Sequence, residues 1–330
     1  MILTSTFRRT TSILVVLVAA TLQNARGQET LTSEGLEHVA AMDAHQICAG
    51  LFVVGRDIRR NAVTVVARDV APFEWFRWDS SVRYDVDWDR QLVTVEVPGA
   101  PARSAGYYGD QGCVIHERGS EETHFTPVDV PRNLPDADTQ AWPMGDQEAH
   151  APLPPDTDVD ALNATLDWAM NEAEQNTRAL VVIHGGKIIA ERFAQGFTAR
   201  TPQIGWSQGK SITAALIGVL VQQGELTINQ RAPVPEWHQD PSDPRREITI
   251  RDLLHMSSGL DFQNLGLAEP VSLTAENEHF LIYFDAVNVF EHAINQPMDI
   301  PANTEFRYRN SDPLTLGRIV RQVEIGRAHV

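Results

Sequence analysis

Gly205-Trp206-Ser207-Gln208-Gly209-Lys210-Ser211-Ile212-Thr213-Ala214-Ala215-Leu216-Ile217-Gly218-Val219-Leu220-Val221 is the stretch on which the reading of the chain turns. It opens on a tight turn and continues as an almost wholly apolar helix that closes at Gly224. A helix apolar on every face belongs inside a domain. Yet Ser207 and Lys210, three residues apart, share one face of its first turn. An ammonium at the mouth of a buried helix is costly unless it has a partner or a task. The chain carries 27 Lys+Arg, but only Lys187 and Lys210 are lysines. Arginine keeps its proton in a protein, whereas a desolvated lysine can release it. A lysine placed three residues after a serine is therefore what proton abstraction requires. With 14 serines and two lysines in 330 residues, chance supplies a Ser-x-x-Lys roughly 9% of the time, so the tetrapeptide alone is a hypothesis. The plain alternative is a helix-capping serine followed by a surface lysine.

The bulk composition, 42% hydrophobic and 22% charged, is that of a globular protein with room for one large domain or two smaller ones. A net charge of -17 argues against nucleic acid and anionic membrane surfaces as partners, since both are met by basic patches. Residues 1–27 read as a secretory signal peptide. Arg8 and Arg9 precede the apolar run Ile13–Ala20, and Ala25-Arg26-Gly27 offers a small-x-small cleavage site. That run is too short to span a bilayer and no later stretch is long enough, so the mature protein is expected to be exported, periplasmic or secreted. In an oxidising compartment Cys48 and Cys113 are expected to pair as a structural disulfide, with two buried thiols as the alternative. The 11 histidines show no metal-ligand spacing, so no metal and no cofactor is expected.

In chain order, Leu31–Ala49 reads as a helix and Leu51–Val54 as a strand. Val82, Tyr84, Val86 and Trp88 alternate with Arg83, Asp85 and Asp87 as in a half-buried strand, and a turn at Asp89-Arg90 leads into Leu92–Val97 as a hairpin. Cys113–His116 reads as a further short strand. The aromatic group Phe73, Trp75, Phe76 and Trp78 is expected to pack in a core or interface, with a binding platform as the alternative. Residues 28–150 thus form a small N-terminal α/β region, joined by an acidic, proline-dense linker over 117–157. Beyond it come a helix over Asp158–Ala173 and two strands, Ala179–Ile183 and Ile188–Phe193, around the turn His184-Gly-Gly-Lys187. The Ser207 helix follows. Thr249, with Asp252 in a capping box, starts a short helix that leads to Ser257-Ser258-Gly259-Leu260. Helices are expected again over Phe284–Asn295 and Leu314–Val323, with an irregular stretch before the first of them that shapes a substrate mouth.

Three stretches, in this order, resemble the serine beta-lactamase and penicillin-binding superfamily. They are Ser207-Gln-Gly-Lys210 as Ser-x-x-Lys, Ile248-Thr-Ile-Arg-Asp-Leu-Leu-His-Met-Ser-Ser-Gly-Leu260, and Tyr308-Arg-Asn310 as Tyr-x-Asn. The branch most similar is that of class C-like serine hydrolases, which includes esterases, D-aminopeptidases and 6-aminohexanoate-dimer hydrolases. The resemblance spans about Asp158–Gln322. It implies an α/β (α+β) fold of the beta-lactamase/transpeptidase type, an antiparallel sheet with flanking helices and a helical subdomain. It also implies an acyl-enzyme mechanism on a small-molecule amide, ester or lactam. Ser207 would be the nucleophile, which needs an adjacent base. Lys210, its pKa lowered by desolvation and the positive end of the helix, and Tyr308 would move its proton, with either able to be the base. Asn310 would bind Lys210 or a substrate amide, and the Ser207 N–H would give one oxyanion donor. The alternative in another class is a non-hydrolytic penicillin-binding sensor.

Relatives place a third motif, Lys-Thr-Gly or His-x-Gly, on a pocket strand well downstream of Tyr-x-Asn, where it gives the second oxyanion donor. This chain ends about 20 residues after Asn310, so residues 158–323 are read as a partial hydrolase domain, incomplete at the C-terminus. The 330 residues alone are expected to fold poorly and turn nothing over. The ending Glu324-Ile-Gly-Arg-Ala-His-Val330 matches a translated sequencing adapter and is read as a non-native tail. Oligomeric state and substrate identity are not legible.

Overall fold

The computed structural model describes residues 32–55, 82–131, 133–171, 177–263, 278–285 and 288–328. The signal peptide reading and the aromatic group at 73–78 lie outside them. Thr32 starts helix α1 (Ser33–Cys48) by accepting the Gly35 N–H at 3.1 Å through its side chain, which satisfies one of the donors a helix start leaves open. Ala40, Ala41, Ala44, Ile47 and Cys48 are buried on one side of α1. These mostly small side chains let α1 lie close on a four-stranded antiparallel meander, β1 (Arg83–Asp87), β2 (Leu92–Glu96), β3 (Arg103–Tyr107) and β4 (Cys113–Ile115).

The expected β1–β2 hairpin forms because the Asp87 carboxylate accepts the Asp89 and Arg90 N–H groups, both at 3.0 Å, and closes the turn. As the edge strand, β1 keeps Tyr84 exposed, and Trp88 at its end is exposed too, while Val93 and Val95 of β2 are buried. Strand β3, with the sequence Arg-Ser-Ala-Gly-Tyr, lacks the β-branched run that announces a strand. Its small Ala105 is fully buried in the core shared with α1. The expected strand at Leu51–Val54 is instead a π-helical turn, Ala49–Val53, that prolongs α1, with the Val54 N–H still bonded to the Ala49 carbonyl. A four-residue apolar run suits either state. Cys48 is bonded to Cys113, so the end of α1 is tied to β4.

The second half starts with α2 (Val159–Ala169), capped by Asp158. The hairpin β5 (Ala179–His184) and β6 (Lys187–Phe193) turns on Gly185 and Gly186, both at positive φ, where glycine carries no Cβ penalty. Residues 141–151 are not a free linker. The Ile188 N–H bonds the Ala149 carbonyl, the Ala151 N–H bonds the Ile188 carbonyl, and the Lys187 ammonium donates to the Glu148 carbonyl. Then come α3 (Gln208–Gln222), α4 (Ile250–Leu254), α5 (Glu278–Phe284), α6 (Val289–Ile294) and α7 (Ser311–Ala328). α7 packs on α3, α4 and α6, around a core of Ile217, Leu220, Trp237, Ile248, Leu253, Leu260, Ile294 and Ile319. The predicted helix over Phe284–Asn295 is two: Phe284 ends α5, and α6 spans Val289–Ile294.

Helix α3 departs from the burial its composition suggests. Ile217 and Leu220 are buried, but Ile212 is 63% exposed, and Leu216 and Val219 are exposed as well. Contacts with α7 cover one face of α3; the opposite face stays open in the described structure. Helix α5 has the reverse character. Its Phe280 and Phe284 are buried within the core of α1 and the four-stranded sheet, and Asp285 just beyond it pairs with Arg103 and Arg118. No helix among the described residues is long and apolar enough to cross a membrane.

Asp43, buried in α1, has its carboxyl pushed up to about 7 by burial alone. A folded-state pKa above the ordinary 3.8 means that the folded protein holds a proton the unfolded chain has released. Stability from this group therefore falls as pH rises through that window, by at most about 1.4 kcal/mol per pH unit. Asp43→Asn should gain on the wild type between pH 4 and 7, read as the difference of their melting temperatures. A difference that does not change with pH would refute the assignment.

Candidate active site

Ser207 stands at the N-cap position of α3 but makes no capping hydrogen bond. Its Oγ instead faces Lys210, whose Nζ donates to it at 3.2 Å. This separates it from an ordinary helix-capping serine, whose oxygen would be turned to the backbone N–H groups of the first turn. The residue before it, Trp206, sits at φ 41°, a region that bulky residues rarely occupy and that tends to mark functional sites. The turn is held by the Gln208 N–H on the Gly205 carbonyl at 2.9 Å and the Gly209 N–H on the Trp206 carbonyl at 3.1 Å. Ser207 is thereby exposed at the positive end of a 15-residue helix.

The second wall comes from the chain before α7. Lys210 Nζ donates to Asn310 Oδ1 at 2.7 Å and lies 4.8 Å from the centre of the Tyr308 ring. The structure thus brings Ser207, Lys210, Tyr308 and Asn310 together. Burial pushes the Tyr308 phenol up, but hydrogen bonds from Ser207 and Lys210, with the lysine charge, outweigh it and leave the phenol below its ordinary 10. The half-buried Lys210 ammonium thus donates to Ser207 Oγ and Asn310 Oδ1 and lies beside the Tyr308 phenol.

The segment Met256–Leu260 holds this wall in place. Ser258 Oγ donates to the Asp312 carboxylate at 2.6 Å, and Ser311 Oγ donates to the same oxygen at 3.0 Å. The Asn303 N–H bonds the Ser257 carbonyl at 2.7 Å, and the Arg307 N–H bonds the Met256 carbonyl at 2.9 Å. Burial raises the Asp312 carboxyl to about 6 against these hydrogen bonds and the charge of Arg309. Gly259, at φ +78°, meets the Ile300 backbone where a Cβ would stand.

Two side chains at the site escaped the sequence reading. His279 and Tyr283 of α5 lie in the stretch expected to be irregular. Asn310 Nδ2 lies 3.3 Å from His279 Nδ1, the Tyr283 ring is tilted against His279 at 4.7 Å, and the Trp206 ring lies 5.6 Å from Tyr283. The available signal was helical spacing: in Glu278-His-Phe-Leu-Ile-Tyr-Phe284, 279/283 and 280/284 form two adjacent faces.

The Beta-lactamase family model matches residues 163–328, half of the chain, and the chain belongs to that family. The solved structures it is similar to include two bacterial proteins. A Bacillus anthracis protein assigned as a 6-aminohexanoate-dimer hydrolase has 19% identity and a TM-score of 0.40, over 57% of this chain and 50% of that one. A Bacteroides dorei protein assigned as a beta-lactamase has 22% identity and a TM-score of 0.39, over 51% and 47%. The chain spans about half the length of these structures. No curated relative matches it.

Gly259→Ala should lower stability by roughly 3 kcal/mol or more, because it adds both a disfavoured φ and an overlap with rigid backbone. Gly218→Ala, on α3 with open space around it, is the control and should be neutral or stabilising. Equal melting temperatures for the two variants would contradict the assigned role of Gly259.

Proposed function

We propose that the protein is an exported serine hydrolase that cleaves a small-molecule amide, ester or lactam through an acyl-Ser207 intermediate. The observation that carries the reading is the single ammonium of Lys210, which donates to Ser207 Oγ and Asn310 Oδ1 and lies against the Tyr308 phenol. Lysine donates to the serine oxygen, and the hydrogen bond from Ser207 favours the ionised form of Tyr308. This polarity supports Tyr308 as the base and Lys210 as the fixed charge that makes it one. The disulfide and the Arg8–Gly27 pattern support export.

The reaction then runs in two halves. Ser207 Oγ attacks the substrate carbonyl carbon as its proton passes to Tyr308, and the Ser207 N–H at the helix start faces the oxygen that becomes negative. Tyr308 returns the proton to the leaving nitrogen or oxygen, the old bond breaks, and the acyl group stays on Ser207. A water attacks that ester, gives its proton to Tyr308 and releases the acid. Ser207 recovers its hydrogen in the last step.

The test is a p-nitrophenyl ester and a fluorescent penicillin offered to the protein expressed from its natural locus. Ser207→Ala should abolish both turnover and covalent label. Tyr308→Phe should lower kcat/KM by roughly 10²- to 10⁴-fold, the usual range for a general base. In the wild type the ascending limb of the pH–rate profile should lie below pH 10, and Lys210→Ala should move it upward. A lasting label on Ser207 without turnover would replace the hydrolase with a penicillin-binding sensor. Turnover that survives Ser207→Ala would refute the reading altogether.

A further inference from the structure

The Asn310 amide meets three polar side chains, and one of them, the Lys210 ammonium, has a fixed sense. Its Oδ1 accepts from the Lys210 ammonium at 2.7 Å. Its Nδ2 points to His279 Nδ1 at 3.3 Å, and Asn310 also lowers the Tyr283 phenol against the effect of burial. An ammonium can only donate, so the lysine contact fixes which end of the amide is oxygen. The NH2 group that remains can only donate, so the His279 Nδ1 it meets has to carry a lone pair. The imidazole is then neutral, with its proton on Nε2. The opposite tautomer or an imidazolium would set N–H against N–H and favour a flipped amide, which would turn its NH2 toward Lys210.

We propose that His279 is a positioning residue of the active site, a neutral imidazole that keeps the Asn310 carbonyl turned to Lys210. This rests on the reading of Ser207, Lys210 and Tyr308 given above. The surroundings suit the role. His279 is 8% exposed and lies between Tyr283 and Phe280 of its own helix. Among the described residues the charged group facing it is Lys210 of α3, and Tyr308 adds a titratable phenol beside Tyr283. Burial first, and the Lys210 charge second, hold the imidazole down at about 4, so it stays neutral through the ordinary working range. The position of His279 is itself imposed from outside the family-matched core. Phe280 and Phe284 anchor α5 among α1 and the sheet, α1 packs directly on α5, and Arg103 and Arg118 hold Asp285. The N-terminal region thereby sets the wall that orients Asn310.

The experiment has two arms. In the first, ¹⁵N NMR of imidazole-labelled resting protein reads the His279 tautomer and its titration. An Nε2–H tautomer at neutral pH with a midpoint well below 6.5 is expected, and Lys210→Ala should raise the midpoint. An Nδ1–H tautomer, or a midpoint at 6.5 or above, overturns the proposal. This arm needs no turnover, so it stands apart from any failure of the hydrolase reading, which Ser207→Ala tests. In the second arm, His279→Leu should lower kcat about tenfold or more with little change in KM, as expected for one lost orienting hydrogen bond. His279→Gln, which can still accept a hydrogen bond, should restore most of it and remove the His279 limb from the acid side of the pH–rate profile. Equal kcat for Leu, Gln and wild type overturns the proposal. A shared loss in Leu and Gln with unaltered melting temperatures overturns it too.

Discussion

One ammonium group, on Lys210, has to lie among three side-chain oxygens at once, and most of the structure near it is the means of placing them. Two of the three, on Tyr308 and Asn310, are about 100 residues further along the chain than the third, on Ser207. No local rule brings them together. The approach depends on α7 lying against α3 and on the Tyr308–Asn310 segment being held by the backbone of Ser257 and Met256. It depends equally on an acid buried beneath that segment, Asp312, one of whose oxygens accepts from the Ser258 and Ser311 hydroxyls. A buried carboxylate costs free energy unless its hydrogen bonds are complete. The two serine hydroxyls at one oxygen and the Ser258 N–H at the other offset part of that cost, and so a small polar core under the site supports the half-buried ammonium above it.

Local strain is also found at this place. Trp206 and Met256 both occupy positive φ, one immediately before Ser207 and the other at the start of the segment that supports Tyr308. Elsewhere most turns use residues suited to them, such as Gly185-Gly186 in the β5–β6 hairpin. Sites where local preference is violated within an otherwise consistent chain are where function is expected to reside.

Much of this was legible in the sequence where a motif has its own local chemistry. The Thr249–Asp252 capping box, the Gly-Gly hairpin and the alternation leading into β1 each follow from residue types within a few positions. Ser207 and Lys210 stand out by their spacing at the mouth of an apolar helix and by the scarcity of lysine, and Tyr308 and Asn310 through a resemblance in motif order. What escaped is what depends on tertiary packing. Strand β3 carries no strand-forming run, because its place beneath α1 calls for small residues. Helix α5 is seven residues long, with aromatic and aliphatic side chains on several faces, since two different surroundings claim it. A single amphipathic stripe is the pattern a sequence reading can find, and α5 does not have one. The exposure of Ile212, Leu216 and Val219 could not be read either, because composition gives the character of a helix and not the number of its neighbours.

The double allegiance of α5 has a consequence for how the protein unfolds. Phe280 and Phe284 complete a core built from residues some 170 to 250 positions earlier, while His279 and Tyr283, on the same two helical turns, close the wall beside Ser207. Neither half can lose its structure without withdrawing support from the other. Regions that look separable along the chain are therefore one cooperative unit in thermodynamic terms. Cutting the chain between the N-terminal region and the family-matched half would strip a buried aromatic pair and an ion-paired aspartate at a single stroke. The boundary visible in the sequence is a boundary of composition, and the unit of stability crosses it.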